Sequence, residues 1–542
     1  MREEIALTVK GRLKHHGYLP VETPLLEDKA ALDEGGRVAD SPFKLFDDDG
    51  GLLVVRPDNT LPIVRLVTAR MSAGDLPLRL RYQAPVVREQ PRYAAKTRQF
   101  TQLGFELIGE GDAAGDREVV TLVAEVMTAL DLPDPRIVCG SVRPYRALLA
   151  ACDDAALAAD VLALVHANDF VGLDDRVAAS ELPAPLARAI RELPRLHGGA
   201  EVLDRVDELL ATAGVSAQTT AELRALTDDE GVVVEADATA PALSFDFSIM
   251  NSFDYYTGLV LKAYAGNLPD PVGSGGRYDS VLDGKLPGST GCVPAAGFAF
   301  SLERLEAAGE AEATGADADR AEAVAPAPLR IAVPKGSLKE GTLEVLGAVG
   351  LDVEGLRNPG RHLIVRAKDE RGDIGDVEFI IVRATDAPAF VACGGADCGI
   401  CGRDSLIEAN LDLLQLVDLG FGGCRFIEAE PAGREGEAAR AYARRGSLRV
   451  ATKYPRIAAA WYASRGVTAD IVSLHGNIEL GPIVGMTDRI VDITATGTTL
   501  AENDLVITGE LMECTARFFV NPGRARLDPR VRELADRLAA LQ

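Results

Sequence analysis

The chain lacks any apolar run approaching the roughly 20 residues that a bilayer crossing requires, so a membrane-spanning class is not expected. Its start, MREEIALTVKGRLKHHGY, lacks the apolar core and cleavage site of a signal peptide and reads as an amphipathic helix with acidic residues in its first turn. The cytoplasm is the expected location. Basic blocks are also missing. Lys and Arg number 57 against 82 Asp and Glu, a formal net charge of −25, which repels a polyanion and argues against tRNA as a partner. Cysteine is sparse, eight in 542 residues without framework spacing, as expected of reduced thiols. What is present is ordinary for a globular protein: 47% hydrophobic and 26% charged residues. The length suits roughly three or four folding units.

The sharpest break in composition is EAAGEAEATGADADRAEAVAPAP, residues 306–328. It is rich in Ala, Glu and Asp, closes with two prolines, and offers almost no large apolar side chain to bury. It is expected to be a solvated linker; a frayed helical extension of the preceding segment is the alternative, since Ala and Glu favour helix. After it, Leu329 to Val333 reads as a strand, Pro-Lys-Gly as a tight turn and Leu338 to Val349 as a helix. Similar alternation continues through VEFIIVRA, PAFVAC, ADCGICG, LRVATK, DIVSL and RIVDITATG, which predicts an α/β half. Upstream, a helix over residues 2–16 and paired strands such as LPLRLRYQAPVVRE and QFTQLGFELIG predict an α+β half built on an antiparallel sheet. Residues from about 145 to 240 are Ala- and Leu-rich with helical periodicity and read as a helical insertion with no visible chemistry.

The most informative segment is RIVDITATGTTLAEN, residues 489–503. Ile490, Val491 and Ile493 make a strand, Asp492 lies near its tip, and Thr494, Ala495, Thr496, Gly497, Thr498 and Thr499 form a hydroxyl-rich turn before a helix. A phosphate needs converging donors, which backbone amides, threonine hydroxyls and a helix N-terminus supply, and glycine lets the backbone come close. The acid before the turn can accept from ribose hydroxyls or help hold magnesium carried on pyrophosphate. By itself such a turn is also an ordinary strand-to-helix connection.

It does not stand alone. In LHGNIELGPIVGMTDRIVDITATGTTL, the residues Glu479, Gly485, Asp492, Gly497, Thr499 and Leu500 fall in the spacing of the ATP phosphoribosyltransferase family, which this segment strongly resembles. RIAVPKGSL resembles that family's opening strand with its Lys-Gly turn, RATDAPAFVACGGADCGICGRDSLIE its second cleft segment, and VATKYPRIAAAWY its strand entering the second lobe. The resemblance spans residues 329–525 and implies a two-lobed α/β fold like periplasmic solute-binding proteins. It further implies the short form of the enzyme, without the regulatory C-terminal domain of longer relatives. Thr487 departs from the family's smaller residue, and Cys398 and Cys401 form a CxxC where relatives carry apolar or small residues. With Cys393 nearby a zinc or redox site can be imagined, but no second ligand cluster is evident, and buried free thiols are expected.

Upstream, YLPVETPLLE (18–27), REQPRYAAKTRQFTQLGFELIG (88–109) and AAGFAFSLERL (295–305) resemble the three motifs of class II synthetases, Pro24 being the dimer-interface proline. FDYYTG (253–258) and GSGGRYD (273–279) resemble sequences peculiar to histidyl-tRNA synthetase. The histidine-binding positions of that family correspond to Asp58, Thr60, Gln102, Glu106, Tyr255, Tyr256 and Tyr278, although strand tyrosines usually serve packing. Asn251-Ser252 stands where an active synthetase carries an arginine, and no anticodon-binding domain follows residue 305, so a histidine sensor is expected rather than a synthetase. Arg88 and Arg304 still match the family's ATP-gripping arginines.

The combined expectation is a multidomain protein. Residues 1–305 form a class II synthetase-like regulatory domain, 306–328 a linker, and 329–542 the catalytic domain. It joins ATP to phosphoribosyl pyrophosphate (PRPP) with magnesium and is inhibited by histidine. Asp492, Glu479 and Lys335 would be catalytic, Asp492 to Thr499 would hold PRPP, and Lys335, Gly336 and Arg383 would hold ATP. Glu479 and Asp492 would be candidate magnesium ligands, and the assembly a homodimer or homotetramer. A catalytically dead anion-binding protein and a residual aminoacyl-AMP enzyme are the rivals.

Overall fold

A computed structural model describes residues 1–30, 43–90, 97–215, 217–227, 240–249, 255–266, 268–315, 327–434, 436–494 and 497–542. The chain divides into two compact units, Met1–Ala325 and Pro326–Gln542. No helix among the described residues is long and apolar enough to cross a membrane.

The first unit is built on a nine-stranded sheet. In spatial order its strands are Leu19–Pro20, Leu78–Val87, Gln99–Ile108, Ala295–Ser301, Gly273–Arg277, Leu259–Tyr264, Arg136–Ser141, Ala242–Asp246 and His197–Gly198. The pairings are antiparallel except at Leu19–Pro20 with Leu78–Val87 and Arg136–Ser141 with Ala242–Asp246, so the sheet is mixed. Alternation along Gln99–Ile108 explains its place. Leu103, Phe105 and Leu107 are buried on one face, while Gln102, Gly104 and Glu106 point to the other. The apolar face meets helices Arg2–His15 and Asp112–Ala129, whose Val9, Leu13, Val119, Val123 and Val126 are at most 1% exposed. Each such side chain contributes roughly 1.5–3 kcal/mol by burial. Tyr18 seals the end of that layer, edge-on to Phe105, with its hydroxyl donating to Glu118 at 2.8 Å.

Beyond Arg136–Ser141, helices Arg143–Ala150, Ala155–His166, Phe170–Ala178, Ala184–Glu192 and Glu201–Thr212 follow in succession. Helix Leu302–Gly315 runs ten residues into the segment expected as linker, which is the helical extension that its Ala/Glu content allows.

The second unit has two lobes. The first holds a six-stranded sheet in the order Ile364–Lys368, Asp376–Arg383, Leu329–Lys335, Cys398–Gly402, Ala516–Val520, Leu414–Asp418. The second holds a five-stranded sheet in the order Ala469–Ser473, Leu448–Thr452, Arg489–Thr494, Cys424–Pro431, Leu505–Cys514. PAFVAC is helical, Ala387–Ala392, with a proline in its first turn where a missing N–H costs nothing. The final helix Pro529–Ala539 is fastened to the first lobe by Arg537, which donates to Asp369 at 2.9 Å.

Candidate functional site

In the first unit the residues expected to meet histidine converge on the polar face of the sheet. Glu106 is 1% exposed and receives hydrogen bonds from Thr60 Oγ1 at 2.9 Å, Tyr278 Oη at 2.5 Å and Tyr82 Oη at 3.3 Å. Burial pushes its carboxyl up to about 8, against the lowering effect of the Tyr278 bond; the charge on Asp58 adds to the rise, while the bonds from Thr60 and Tyr82 lower it. Asp58 opens the helix Thr60–Arg70 by accepting the Thr60 amide at 2.7 Å. Gln102 donates to Asp58 at 3.2 Å and accepts from the buried Asn59 at 2.8 Å. Tyr255 stacks on Tyr278 with ring centres 5.4 Å apart and meets Tyr256 edge-on at 5.1 Å. All seven expected residues therefore lie in one connected cluster or on its aromatic wall.

Glycines make the floor of this cluster. Gly104 lies opposite Tyr82, and Glu106 opposite Gly297, which in turn faces Gly276. A Cβ at 297 would overlap the Glu106 carboxylate, one at 104 the Tyr82 ring, and one at 276 would come 2.7 Å from Tyr256. The acid and the tyrosines are thus laid across bare backbone. Tyr82 and Asn59 were not foreseen; the strand pairing that sets Tyr82 over Gly104 is the signal that would have found the tyrosine, and Asn59 stands between Asp58 and Thr60 at the start of the helix Thr60–Arg70. Arg88 donates to the Pro57 carbonyl at 2.8 Å and lies 3.7 Å from Asp58, while Arg304 donates to the Pro271 carbonyl at 2.8 Å. Asn251 and Ser252 lie outside the described residues.

Arg277, the last residue of the strand carrying Gly276, is 2% exposed and bonds Asp116 at 2.9 Å and Asp279 at 3.1 Å, a buried ion cluster that pins that strand. Asp279 also accepts the Ala295 amide at 2.8 Å, tying in the Gly297 strand.

In the second unit both lobes set their candidates at the carboxyl ends of parallel strands, where open α/β sheets bind ligands. Lys335 and Arg383 end neighbouring strands, are register partners and are exposed; Gly336 follows at φ +93°. In the second lobe the strand Arg489–Thr494 carries Asp492, half-buried, whose carboxylate accepts the Ile493 amide at 2.8 Å. Burial pushes its carboxyl up to about 6; the Ile493 bond opposes this, nearby Glu479 adds to it, and Lys453 lowers it. Thr494 Oγ1 accepts the Gly497 amide at 2.8 Å, closing the turn, and Gly497 at φ +78° starts the helix Thr498–Glu502. That helix has only five residues, so the donors here are single amides and exposed hydroxyls of Thr498 and Thr499 rather than a helix macrodipole. Ala495 and Thr496 lie outside the described residues.

Lys453 was not foreseen. It follows the strand Leu448–Thr452, which pairs in parallel with Arg489–Thr494 through Thr452 and Val491, so it stands at the same sheet edge as Asp492. Its position one residue past an apolar strand is the signal that was available. Thr487 is buried, and its hydroxyl lies where a Cβ at 481 would stand, 2.7 Å away, so glycine there accommodates the larger residue. Cys398 and Cys401 are fully buried, whereas Cys393 is exposed, contrary to the expectation of a buried trio, because it caps a surface helix.

A buried acid and tyrosines laid over glycines in one unit, and cations and an acid set at strand ends in the other, mark an aminoacyl-synthetase-like module joined to a group-transferring α/β module. Residues 1–305 match the family model described as histidyl-tRNA synthetase, and residues 383–540 that described as ATP phosphoribosyltransferase. Over 199 residues the chain is 47% identical to the ATP phosphoribosyltransferase of Rubrobacter xylanophilus, covering 37% of this chain and 89% of that protein. It is 45% identical over 204 residues to that of Moorella thermoacetica, covering 37% and 87%. It is 31% identical over 318 residues to the ATP phosphoribosyltransferase regulatory subunit of Geobacillus thermodenitrificans, covering 58% and 78%. The chain belongs to the histidyl-tRNA synthetase family through its first unit and to the ATP phosphoribosyltransferase family through its second, and it is an ATP phosphoribosyltransferase.

Proposed function

We propose that adenine N1 of ATP attacks the anomeric carbon of PRPP in the second unit, and that histidine bound by the first unit inhibits this reaction. The loop from Asp492 to Thr499 holds the ribose 5-phosphate through the amide and hydroxyl donors around Gly497. Asp492 accepts from the ribose hydroxyls. Lys335, Gly336 and Arg383 receive the ATP phosphates, and Lys453 joins them as a cation beside the loop. The chemistry asks mainly for two polyanions held in line with the leaving charge neutralised, which fixed cations and amides provide.

Magnesium prefers oxygen ligands and binds through one or two carboxylates plus substrate phosphates. Asp492 and Glu479, close enough for one charge to raise the other's pKa, fit that requirement. The ion supplies charge neutralisation to the pyrophosphate; Glu479 and Asp492 would hold it.

One observation carries the regulatory half: a nearly fully buried carboxyl, Glu106, with hydroxyl donors on both oxygens, beside stacked tyrosines and above a glycine floor. An ammonium or imidazolium group is the natural partner for such an acid, and a flat ring for such walls. The regulatory module comprises residues 1–305 and the catalytic module 329–542, the latter a two-lobed fold of the periplasmic solute-binding type. The protein acts in the cytoplasm as a homodimer or homotetramer, and exposed Leu19, Leu25 and Leu26 flanking exposed Pro24 support the self-association.

The test is product absorbance near 290 nm with ATP, PRPP and magnesium, with and without histidine, for the wild type, Asp492→Ala and Glu106→Gln. Histidine-inhibited activity is expected in the wild type, no activity in Asp492→Ala, and uninhibited activity in Glu106→Gln. Full histidine inhibition of Glu106→Gln would remove the pocket assignment, and normal turnover by Asp492→Ala would remove the loop assignment.

A further inference from the structure

The two lobes of the catalytic unit are joined where strand Leu414–Asp418 leads into Cys424–Pro431 and where Leu505–Cys514 leads into Ala516–Val520. Cys424 is the first residue of one second-lobe strand and Cys514 the last of the other, and they are direct partners in the antiparallel register. Opposed residues in such a pair have Cα atoms about 4.5–5.5 Å apart, inside the range of about 4.4–6.8 Å in which a disulfide closes without backbone movement. Both are free thiols and hydrogen-bond to each other. Cys514 is 1% exposed and Cys424 half-buried, so a reagent from solution meets Cys424 first. The CxxC offers no such pair: Cys398 and Cys401 lie three residues apart on one strand and point to opposite faces.

We propose that Cys424 and Cys514 form a reversible disulfide that staples the lobe crossing and slows phosphoribosyl transfer when oxidised. The oxidant is a low-molecular-weight disulfide. The Cys424 thiolate attacks one of its sulfurs, the S–S bond breaks, and the first small thiol leaves with the proton given up by Cys424. Cys514 then loses its proton, its sulfur attacks Sγ of Cys424, and the second small thiol departs. Two electrons and two protons pass from the protein to the oxidant. The hydrogen bond between the sulfurs suits this order, holding the Cys424 thiol below its ordinary value and pushing Cys514 up.

The link touches catalysis through a short path. Only Thr515 separates Cys514 from the first-lobe strand, and its hydroxyl donates to Asp418 at 2.7 Å while its carbonyl accepts the Arg403 amide at 3.0 Å. The adjacent Asp404 is hydrogen-bonded by Tyr454, whose ring lies within electrostatic reach of Asp492. A covalent bond across the crossing restrains the lobe that carries the phosphate loop.

The experiment treats full-length protein with oxidised glutathione or with dithiothreitol, then reads unreduced peptide masses and turnover. The expected result is a Cys424–Cys514 cross-linked peptide two hydrogens lighter than its parts, activity falling in step with the cross-linked fraction, and recovery on reduction. Cys424→Ser is expected to keep the reduced enzyme's activity and to resist oxidant, and Cys514→Ala to do the same. Glutathione on exposed Cys292 and Cys393 without the cross-link would overturn the disulfide. The cross-link with unchanged turnover, or equal oxidative loss in Cys424→Ser, would overturn its effect on the enzyme. The mass readout holds whether or not the assignment of catalytic residues does.

Discussion

Replacing Glu106 by glutamine keeps the shape of the side chain and removes its charge, and the structure sets the size and sign of the effect. Burial raises this carboxyl to about 8 in the folded chain from the ordinary 4.5. Between those values the folded state holds a proton that the unfolded state has released, so stability falls as pH rises and the whole penalty is present above 8. The shift corresponds to at most about 5 kcal/mol at pH 8.5 and well under 1 kcal/mol at pH 4.5. Glutamine escapes the penalty but fits the Thr60, Tyr82 and Tyr278 hydroxyls less well, at a cost of about 1 kcal/mol. The variant is therefore expected to be about 2–4 kcal/mol more stable than the parent at pH 8.5 and slightly less stable at pH 4.5. For the 325-residue first unit that is a rise in Tm of about 3–6 °C. Scanning calorimetry of the full chain at pH 4.5, 7 and 8.5 measures it, with histidine titration alongside. A Tm difference that does not change with pH would refute the raised carboxyl, and undiminished histidine binding would refute its role as the ligand's partner.

Three further outcomes follow from the geometry. Asp492, with its carboxyl raised to about 6, should give kcat/KM for PRPP that declines as pH falls through about 6. Lys453→Met should move that limb to higher pH and Glu479→Gln to lower pH, and a limb unmoved by either would disconnect them from Asp492. Gly297→Ala places a methyl on the Glu106 carboxylate, so about 1–3 kcal/mol of stability and at least about tenfold of histidine affinity should be lost, as calorimetry would report. Arg277→Met leaves Asp116 buried without its cation, and the first unit should lose about 3–5 kcal/mol in thermal or urea unfolding. A loss below 1 kcal/mol would mean the cluster is dispensable.

Much of the catalytic half was legible because its signals are local. An apolar strand, an acid near its tip and a glycine at positive φ occupy one run of residues, and the conformation follows from nearest neighbours alone. The segment at 306–328 could be read two ways for the same reason in reverse. Composition reports solvation and helix propensity together, and only the completed helix to Gly315 shows which prevails. Lys453 and Tyr82 escaped because nothing beside them in the chain is unusual; each gains its meaning from a strand paired with its own.

The sequence by itself determined the charge, the two-part organisation, the family and the strand-to-helix turn at Gly497, all of which depend on composition or on contiguous residues. Tertiary structure decided the rest. Glu106 meets Tyr278 across 172 positions and Cys514 faces Cys424 across two strands, and both contacts depend on register. Register is set by burial and turn geometry summed over the whole sheet, and a slip of one residue would turn every one of these side chains to the opposite face.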